Sequence, residues 1–204
     1  MAKSKYSLIL RTCHADFTSY GRFKWPKKGP VSCPDWDSRP VCGHGLHGLL
    51  WGEGNGELLN WNSGAVWQVV RVLTAEIVEI DKAKIKFPGG TVLYSGTREK
   101  ATSYIYKHGG EGKRIAGLTL TGGYCSTLTG GYHSTLTGGD CSTLTGGDCS
   151  TLTGGYHSTL IISRWENDRR KIYTACVGED GILPDVPYKL DNGRFVRADG
   201  KEEG

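Results

Sequence analysis

Two hydrophobic rhythms run along the chain, and each predicts different elements. In the first half, short apolar or alternating runs predict strands at Tyr6–Leu10, Val66–Val72 ("VWQVVRV"), Ile77–Ile80 and Thr91–Tyr94. "SGTREKATSYIYKHGG" predicts a helix. Ser95 or Thr97 can cap it, Glu99 lies in its first turn, and Gly109-Gly110 end it. Phe17 to Pro40 is rich in Gly, Pro, Asp and Trp, which predicts an ordered loop system pinned by Trp25 and Trp36, followed by a small helix or turn near Leu49. Together these elements predict a compact α+β domain over residues 1–112.

The second rhythm has a period of eight. From Gly122 the chain writes Gly-Gly-(Tyr/Asp)-(Cys/His)-Ser-Thr-Leu-Thr five times, and "RIAGLTLT" at Arg114–Thr121 fits the frame as an imperfect leading unit. In Ser-Thr-Leu-Thr the strand period of two puts Ser and Leu on one side and both Thr on the other. A lone octad buries a single Leu, whereas stacked octads join Leu128, Leu136, Leu144 and Leu152 into one core, with Gly-Gly at corners where a Cβ would clash. The strict Leu register, with Ile115, Ile161 and Ile162 to extend the core, favours this over a disordered Gly/Ser/Thr tract. The expectation is a short β-solenoid over residues 113–162 with two octads per coil. Asn-Asp, Glu-Asp-Gly and Asp-Asn-Gly turn signals then predict a β-structured cap over 163–198, with a frayed tail at 199–204. The fold class is mainly β, with an α+β N-terminal domain.

Composition sharpens this picture without changing it. Glycine, 31 of 204 residues, is concentrated in the repeat and in Gly43–Gly56, which marks turns. The net charge of +4 comes from scattered Lys and Arg, so no DNA-binding stripe is expected. Only Ser7–Leu10 lean apolar before Arg11, too short a run for a signal peptide or membrane span, so the expectation is a cytoplasmic protein without membrane contact. Seven cysteines, an odd number, are then read as reduced thiols.

If residues sixteen apart align, Cys125, Cys141 and His157 share one corner column, and His133 and Cys149 share another. Such columns could hold metal or oxidise, but a corner that tolerates small or polar residues explains them equally well and is preferred. "GGYHSTLT" resembles the octapeptide of bacterial ice-nucleation proteins, Ala-Gly-Tyr-Gly-Ser-Thr-x-Thr, including the Tyr at positions 124, 132 and 156. Here Gly replaces Ala, and Asp140 and Asp148 interrupt the Tyr column. Because nucleation needs a very large Thr array and three coils are few, ice nucleation is not expected.

"CPDWDSRPVCGHGLHG" holds Cys33, Cys42, His44 and His47. The spacing is not that of a standard zinc finger. No cofactor is expected, and a tetrahedral zinc site of these four residues is the alternative. A glycine-bracketed His47 can instead line a ligand pocket, using exposed backbone N–H groups. The stretches "LRTCHADFTSYGRFKWPKKG", "CGHGLHGLLWGEG", "GTREKATSYI" and "VGEDGILPDVPYKLDNGRFV" resemble a largely uncharacterised group of bacteriophage and prophage proteins with a Cys-Gly-x-Gly-Leu-His core. That resemblance implies a phage accessory protein, of a kind that can counter host defence by sequestering nucleotide signals.

The functional expectation is therefore a non-enzymatic binding protein for a nucleotide-like molecule or host protein. Arg11 would take an anion, His14, His44 and His47 would hydrogen-bond, and Trp36 and Trp51 would stack. A self-assembling scaffold, with homo-oligomers formed through strand edges, is one alternative. An ADP-ribosyl-transfer-like enzyme is another, resting on Arg11-Thr12 and an acid such as Glu76 or Glu79. No phosphate loop, nucleophile elbow or zinc-protease helix is present.

Overall fold

The computed structural model describes residues 4–200. The first three residues of the N-terminal stretch read above, and residues 201–204 of the expected tail, lie outside the described residues. Among the described residues the protein is mainly β with few helices, and its sheets are open, with no closed barrel. It divides into two compact units, Met1–Glu111 and Gly112–Gly204.

The first unit contains β1 (Tyr6–Cys13), β2 (Gly29–Ser32), β3 (Leu46–Leu50), β4 (Val66–Leu73), β5 (Val78–Glu79), β6 (Ile85–Phe87), β7 (Gly89–Gly96) and the helix α1 (Arg98–Ile105). They form one seven-stranded antiparallel sheet in the order β2-β7-β4-β1-β3-β6-β5. β1 lies at the centre and is buried on both faces. Ile9 and Cys13 join Val70, Val72, Trp25 and Phe87 in one core cluster. Leu8 and Leu10, also buried, alternate to the opposite side, and α1 packs on β4, β1 and β7. Thr97 caps α1 by accepting the Lys100 N–H at 3.4 Å.

The segment near Leu49 is a strand rather than a small helix or turn. β3 pairs antiparallel with β1 through Leu10↔Leu49. Gly48 allows this close approach, because a Cβ there would lie 2.4 Å from the Ile9 side chain. Glycines that read as turn formers in sequence serve here to bring two strands together.

The second unit carries β8 (Thr119–Thr121), β9 (Thr127–Thr129), β10 (Thr135–Gly138), β11 (Thr143–Gly146), β12 (Thr151–Gly154), β13 (Thr159–Glu166), β14 (Arg169–Cys176), β15 (Pro187–Asp191) and β16 (Arg194–Arg197). Successive octads alternate between two sheets. β8, β10 and β12 pair in parallel, Thr119↔Thr135↔Thr151, and so do β9, β11 and β13, Thr127↔Thr143↔Thr159. Every partner is sixteen residues away. Each parallel stack ends on an antiparallel strand: β15 pairs with β12, and β14 pairs along the whole of β13. Asn167 and Asp168 (φ 49° and 59°) and Asn192 and Gly193 (φ 46° and 79°) make the two hairpin turns with the paired positive φ of mirror-image turns.

Candidate functional site

The first unit carries a cavity of about 550 Å³ that is open to solvent on one side. Of the six expected ligand residues it brings together Arg11, His44 and His47. The other three lie elsewhere. His14 lines a separate shallow hollow with Asp16, Asn60 and Asn62. Trp36 stands with its ring centroid 5.6 Å from Lys86 Nζ. Trp51 follows β3 at φ 55°, and its ring limits the space beside Gly109.

Arg11 is 7% exposed, stacked 3.4 Å from the Trp25 ring centroid, and donates to Gln68 Oε1 at 2.7 Å. Gln68 is itself fully buried and fixed by its own donation to Pro26 O and Ser95 Oγ. Burial lowers the guanidinium pKa to about 9, which leaves it cationic at neutral pH. Burial, then Lys84 and Lys86, push the His47 pKa below its ordinary value, so the imidazole is neutral at pH 7. Asp35 accepts the Cys33 thiol at 3.0 Å and pairs with His44 Nδ1 at 2.9 Å. These contacts, the thiol first, hold its carboxyl below the ordinary range. Lys86, fully buried, donates to the carbonyls of Val41 and Gly43 at 3.0 and 3.3 Å. Gln68 had no signal in the sequence beyond sitting inside a predicted strand, and Lys86 had none, since the sequence predicts no strand where β6 forms.

The four residues considered for zinc do not converge. Cys33 is engaged with Asp35, and Cys42 accepts from Lys84 Nζ at 3.2 Å. Among the described residues no group of three or more His, Cys, Asp or Glu is arranged to hold a metal ion, in the corner columns of the repeat included.

In the second unit the octads present threonine outward. Ser134, Ser142, Ser150 and Ser158 are buried, as are Leu136, Leu144, Leu152 and Leu160, while every Thr of the Thr-Leu-Thr strands is exposed or half-exposed. On one sheet Thr119, Thr135 and Thr151 form a column beside Thr121, Thr137 and Thr153. On the other, Thr127, Thr143 and Thr159 stand beside Thr129, Thr145 and Ile161. Neighbouring columns are about 6.7 Å apart along a strand, and neighbouring rungs about 4.8 Å apart.

The corners follow a rule that the octad spelling hides. The left-handed position belongs to Cys125, His133, Cys141, Cys149 and His157, at φ 53° to 61°, and not to the glycines. The glycines are there for space. A Cβ on Gly138 would meet the Ser142 side chain at 2.7 Å, and one on Gly147 would meet the Gly131 carbonyl carbon at 2.6 Å. The Asp that interrupts the Tyr column has a use: Asp140 Oδ1 accepts the Tyr156 N–H at 2.8 Å, one coil along. Tyr124 and Tyr156 point outward, 75% and 56% exposed.

No family model matches the chain, and no solved structure matches it. Curated relatives do. An ice nucleation protein of Xanthomonas campestris pv. translucens is 39% identical over 99 residues, 48% of this chain and 6% of that protein. Ice nucleation protein InaU of Pantoea ananas is 39% identical over 104 residues, 50% of this chain and 10% of that protein. An ice nucleation protein of Pseudomonas syringae is 34% identical over 100 residues, 48% of this chain and 8% of that protein. The chain thus spans about a tenth or less of the length of the curated relatives it matches.

Eight curated relatives, 32% to 39% identical, carry this name, and they overturn the functional expectation. They point to ice-nucleation repeats rather than to a phage accessory protein for a nucleotide-like molecule or host protein. They also set aside the expectation that the small Thr array argues against an ice-nucleation-type repeat. Counting coils measured how large the array is, and left open what its surface does.

Proposed function

We propose that the octads of residues 113–162 form a short, Leu-cored β-solenoid, capped by residues 163–198, whose threonine faces order water into an ice-like layer as an ice-nucleation-type repeat segment. The observation that carries this reading is the in-register stacking of two threonine columns on each parallel sheet. A threonine offers a methyl group, around which water must arrange itself, and a hydroxyl that donates and accepts one hydrogen bond with that water. β-branching restricts χ1, so the pairs repeat in position along the rungs. A surface that holds water in a fixed lattice lowers the interfacial cost of an ice embryo.

Array size sets strength and not kind. The columns on one sheet cover two rung spacings, about 10 Å in all. An embryo supported on so small a patch reaches critical size only at deep supercooling, so the chain alone acts weakly and a longer stack acts at warmer temperatures.

The test is droplet freezing and ice recrystallisation with the full chain beside a Thr135→Lys/Thr137→Lys double variant whose circular dichroism is unchanged. The expected result is a raised median freezing temperature and finer ice grains for the parent chain, both lost in the variant. A parent chain that behaves like the variant and like buffer in both assays rules the reading out.

A further inference from the structure

Cys125 and Cys141 occupy equivalent corners of neighbouring coils, two residues ahead of the paired Thr127 and Thr143. The Cys125 N–H donates to the Asp140 carbonyl at 2.8 Å, which sets the two cysteines side by side on rungs about 4.8 Å apart. Their φ values, 53° and 59°, are nearly the same, so the two Cα–Cβ bonds run parallel and carry both thiols to one side of the corner. Both cysteines are exposed. The thiols also meet at one oxygen: hydrogen bonds with Cys125, then with Cys141, raise the pKa of the Tyr124 hydroxyl.

The rung spacing decides what such a pair can hold. A disulfide needs its Cβ atoms about 3.8 Å apart, so closing one here would draw two rungs together by about 1 Å. Bonds on both sides of the cysteines resist that, with the Gly139 N–H on the Gly123 carbonyl at 3.1 Å and the Ser126 N–H on Ser142 Oγ at 3.1 Å. A metal ion in line between two thiolates asks for less. With metal–sulfur bonds of about 2.3 Å the sulfurs lie about 4.6 Å apart, close to the spacing the coils already have. Thiolates are soft donors and select soft Cu(I), whereas a structural zinc takes four ligands. Among the described residues no further His, Cys, Asp or Glu completes a metal-holding group around the pair, which sets zinc aside.

We propose that Cys125 and Cys141 form a two-thiolate site for Cu(I) that bridges neighbouring coils of the second unit. Binding breaks both S–H bonds, forms two S–Cu bonds and releases two protons to solvent, with no change in oxidation state. Tyr124, 75% exposed, swings its hydroxyl off the thiols into water. Because the metal joins two coils and is held only by the folded chain, it stabilises the solenoid against unfolding.

The experiment titrates the reduced full chain, in the absence of oxygen, against the coloured complex of Cu(I) with bicinchoninate. The parent chain is expected to withdraw one Cu(I) per chain from the dye and to melt at a higher temperature once loaded, with its oligomeric state by native mass spectrometry the same before and after. Cys125→Ser and Cys141→Ser should each leave that Cu(I) with the dye and lose the gain in Tm. Cys149→Ser/Cys176→Ser removes two exposed thiols at other places and should behave as the parent. If Cys141→Ser does not fold, Cys125→Ser decides alone. A parent chain that withdraws no Cu(I) overturns the proposal. So does an equal loss in Cys149→Ser/Cys176→Ser, or copper that joins two chains instead of two coils. None of these readouts depends on the freezing assays, so the metal site and the ice-facing reading stand or fall separately.

Discussion

Ser142 Oγ accepts the Ser126 N–H at 3.1 Å and donates to the Gly123 carbonyl at 3.3 Å, so one buried hydroxyl ties its coil to two backbone groups of the coil before. Ser150 and Ser158 repeat the arrangement, on Ser134 and Gly131 and on Ser142 and Gly139. Removing the hydroxyl leaves that N–H unpaired, which costs about 1–3 kcal/mol, while the carbonyl keeps an amide of the next coil, Gly139 N–H on Gly123 O and Gly147 N–H on Gly131 O. Ser142→Ala and Ser150→Ala are therefore expected to lower the urea midpoint clearly. Ser126→Ala should cost less, because Ser126 Oγ bonds only within its own turn, to Gly123 O at 2.6 Å. Equal losses at Ser126 and Ser142 would show that the ladder between coils contributes nothing.

The second glycine of each octad separates packing from conformation. Gly147 has backbone of the previous coil directly above its missing Cβ, with the Tyr132 nitrogen at 2.7 Å, whereas Gly123 has nothing within 4 Å. Gly147→Ala forces two rungs apart and is expected to cost about 1–3 kcal/mol or more. Gly123→Ala is expected to be neutral or stabilising by up to about 1 kcal/mol, through the unfolded chain. Thermal melts of the two variants side by side measure the difference. A similar Tm for both would remove close approach as the reason for the glycine.

Much of the second unit was legible because an eight-residue repeat constrains its own packing. Leu and Ser inward with Thr outward follows from strand alternation, and the sixteen-residue register was readable once two octads were assigned to a coil. Ile162 is in the core as expected, but Ile161 faces outward in the threonine column, because alternation admits one of the two. The corner conformation was not legible: Cys and His at φ near 60° run against propensity, and only tertiary pairing holds them there. In the first unit β3 was missed because Gly45 and Gly48 read as turn signals, when Gly48 lets β3 press against Ile9. His44 and His47, singled out by their glycine setting, do line the cavity. His14, Trp36 and Trp51 were not brought to the cavity, because sequence spacing does not say which side of a sheet a loop returns to.

The corner residues carry a local cost that glycine would relieve. Cys141 sits at φ 59°, where an L residue is disfavoured by about 1–2 kcal/mol. Cys141→Gly is expected to raise stability by roughly 1 kcal/mol after glycine's extra unfolded-state entropy is counted, and Cys141→Val to lower it. Chemical denaturation of both variants checks the sign. Glycine no better than valine would mean that the thiol itself holds the corner.

His47 makes stability depend on pH in a predictable direction. Its folded pKa lies below the ordinary 6.5, with burial the main cause, so the unfolded chain takes up a proton before the folded one does. Stability is therefore full above about pH 6.5 and falls as pH drops from there toward the folded pKa. His47→Gln, which cannot take the proton, should flatten that part of the curve while leaving stability above neutrality little changed. Urea midpoints across this window for the parent chain and variant provide the comparison, and identical slopes would mean that His47 is not the titrating group.

Ile161 offers the sharpest test of whether the threonine columns act as a surface. It is the parallel partner of Thr145 and the antiparallel partner of Thr174, half-exposed, and it breaks a column that would otherwise run Thr129, Thr145, Thr. Ile161→Thr keeps the β-branch and restores the hydroxyl, extending the ordered patch by one rung about 4.8 Å away. Thr145→Ile interrupts the same column at its centre. Droplet freezing should therefore shift to warmer temperature for Ile161→Thr and to colder for Thr145→Ile, with both proteins equally folded. The reverse pair of shifts, colder for Ile161→Thr and warmer for Thr145→Ile, would mean that hydrophobicity, and not the regular hydroxyl array, governs the contact with ice.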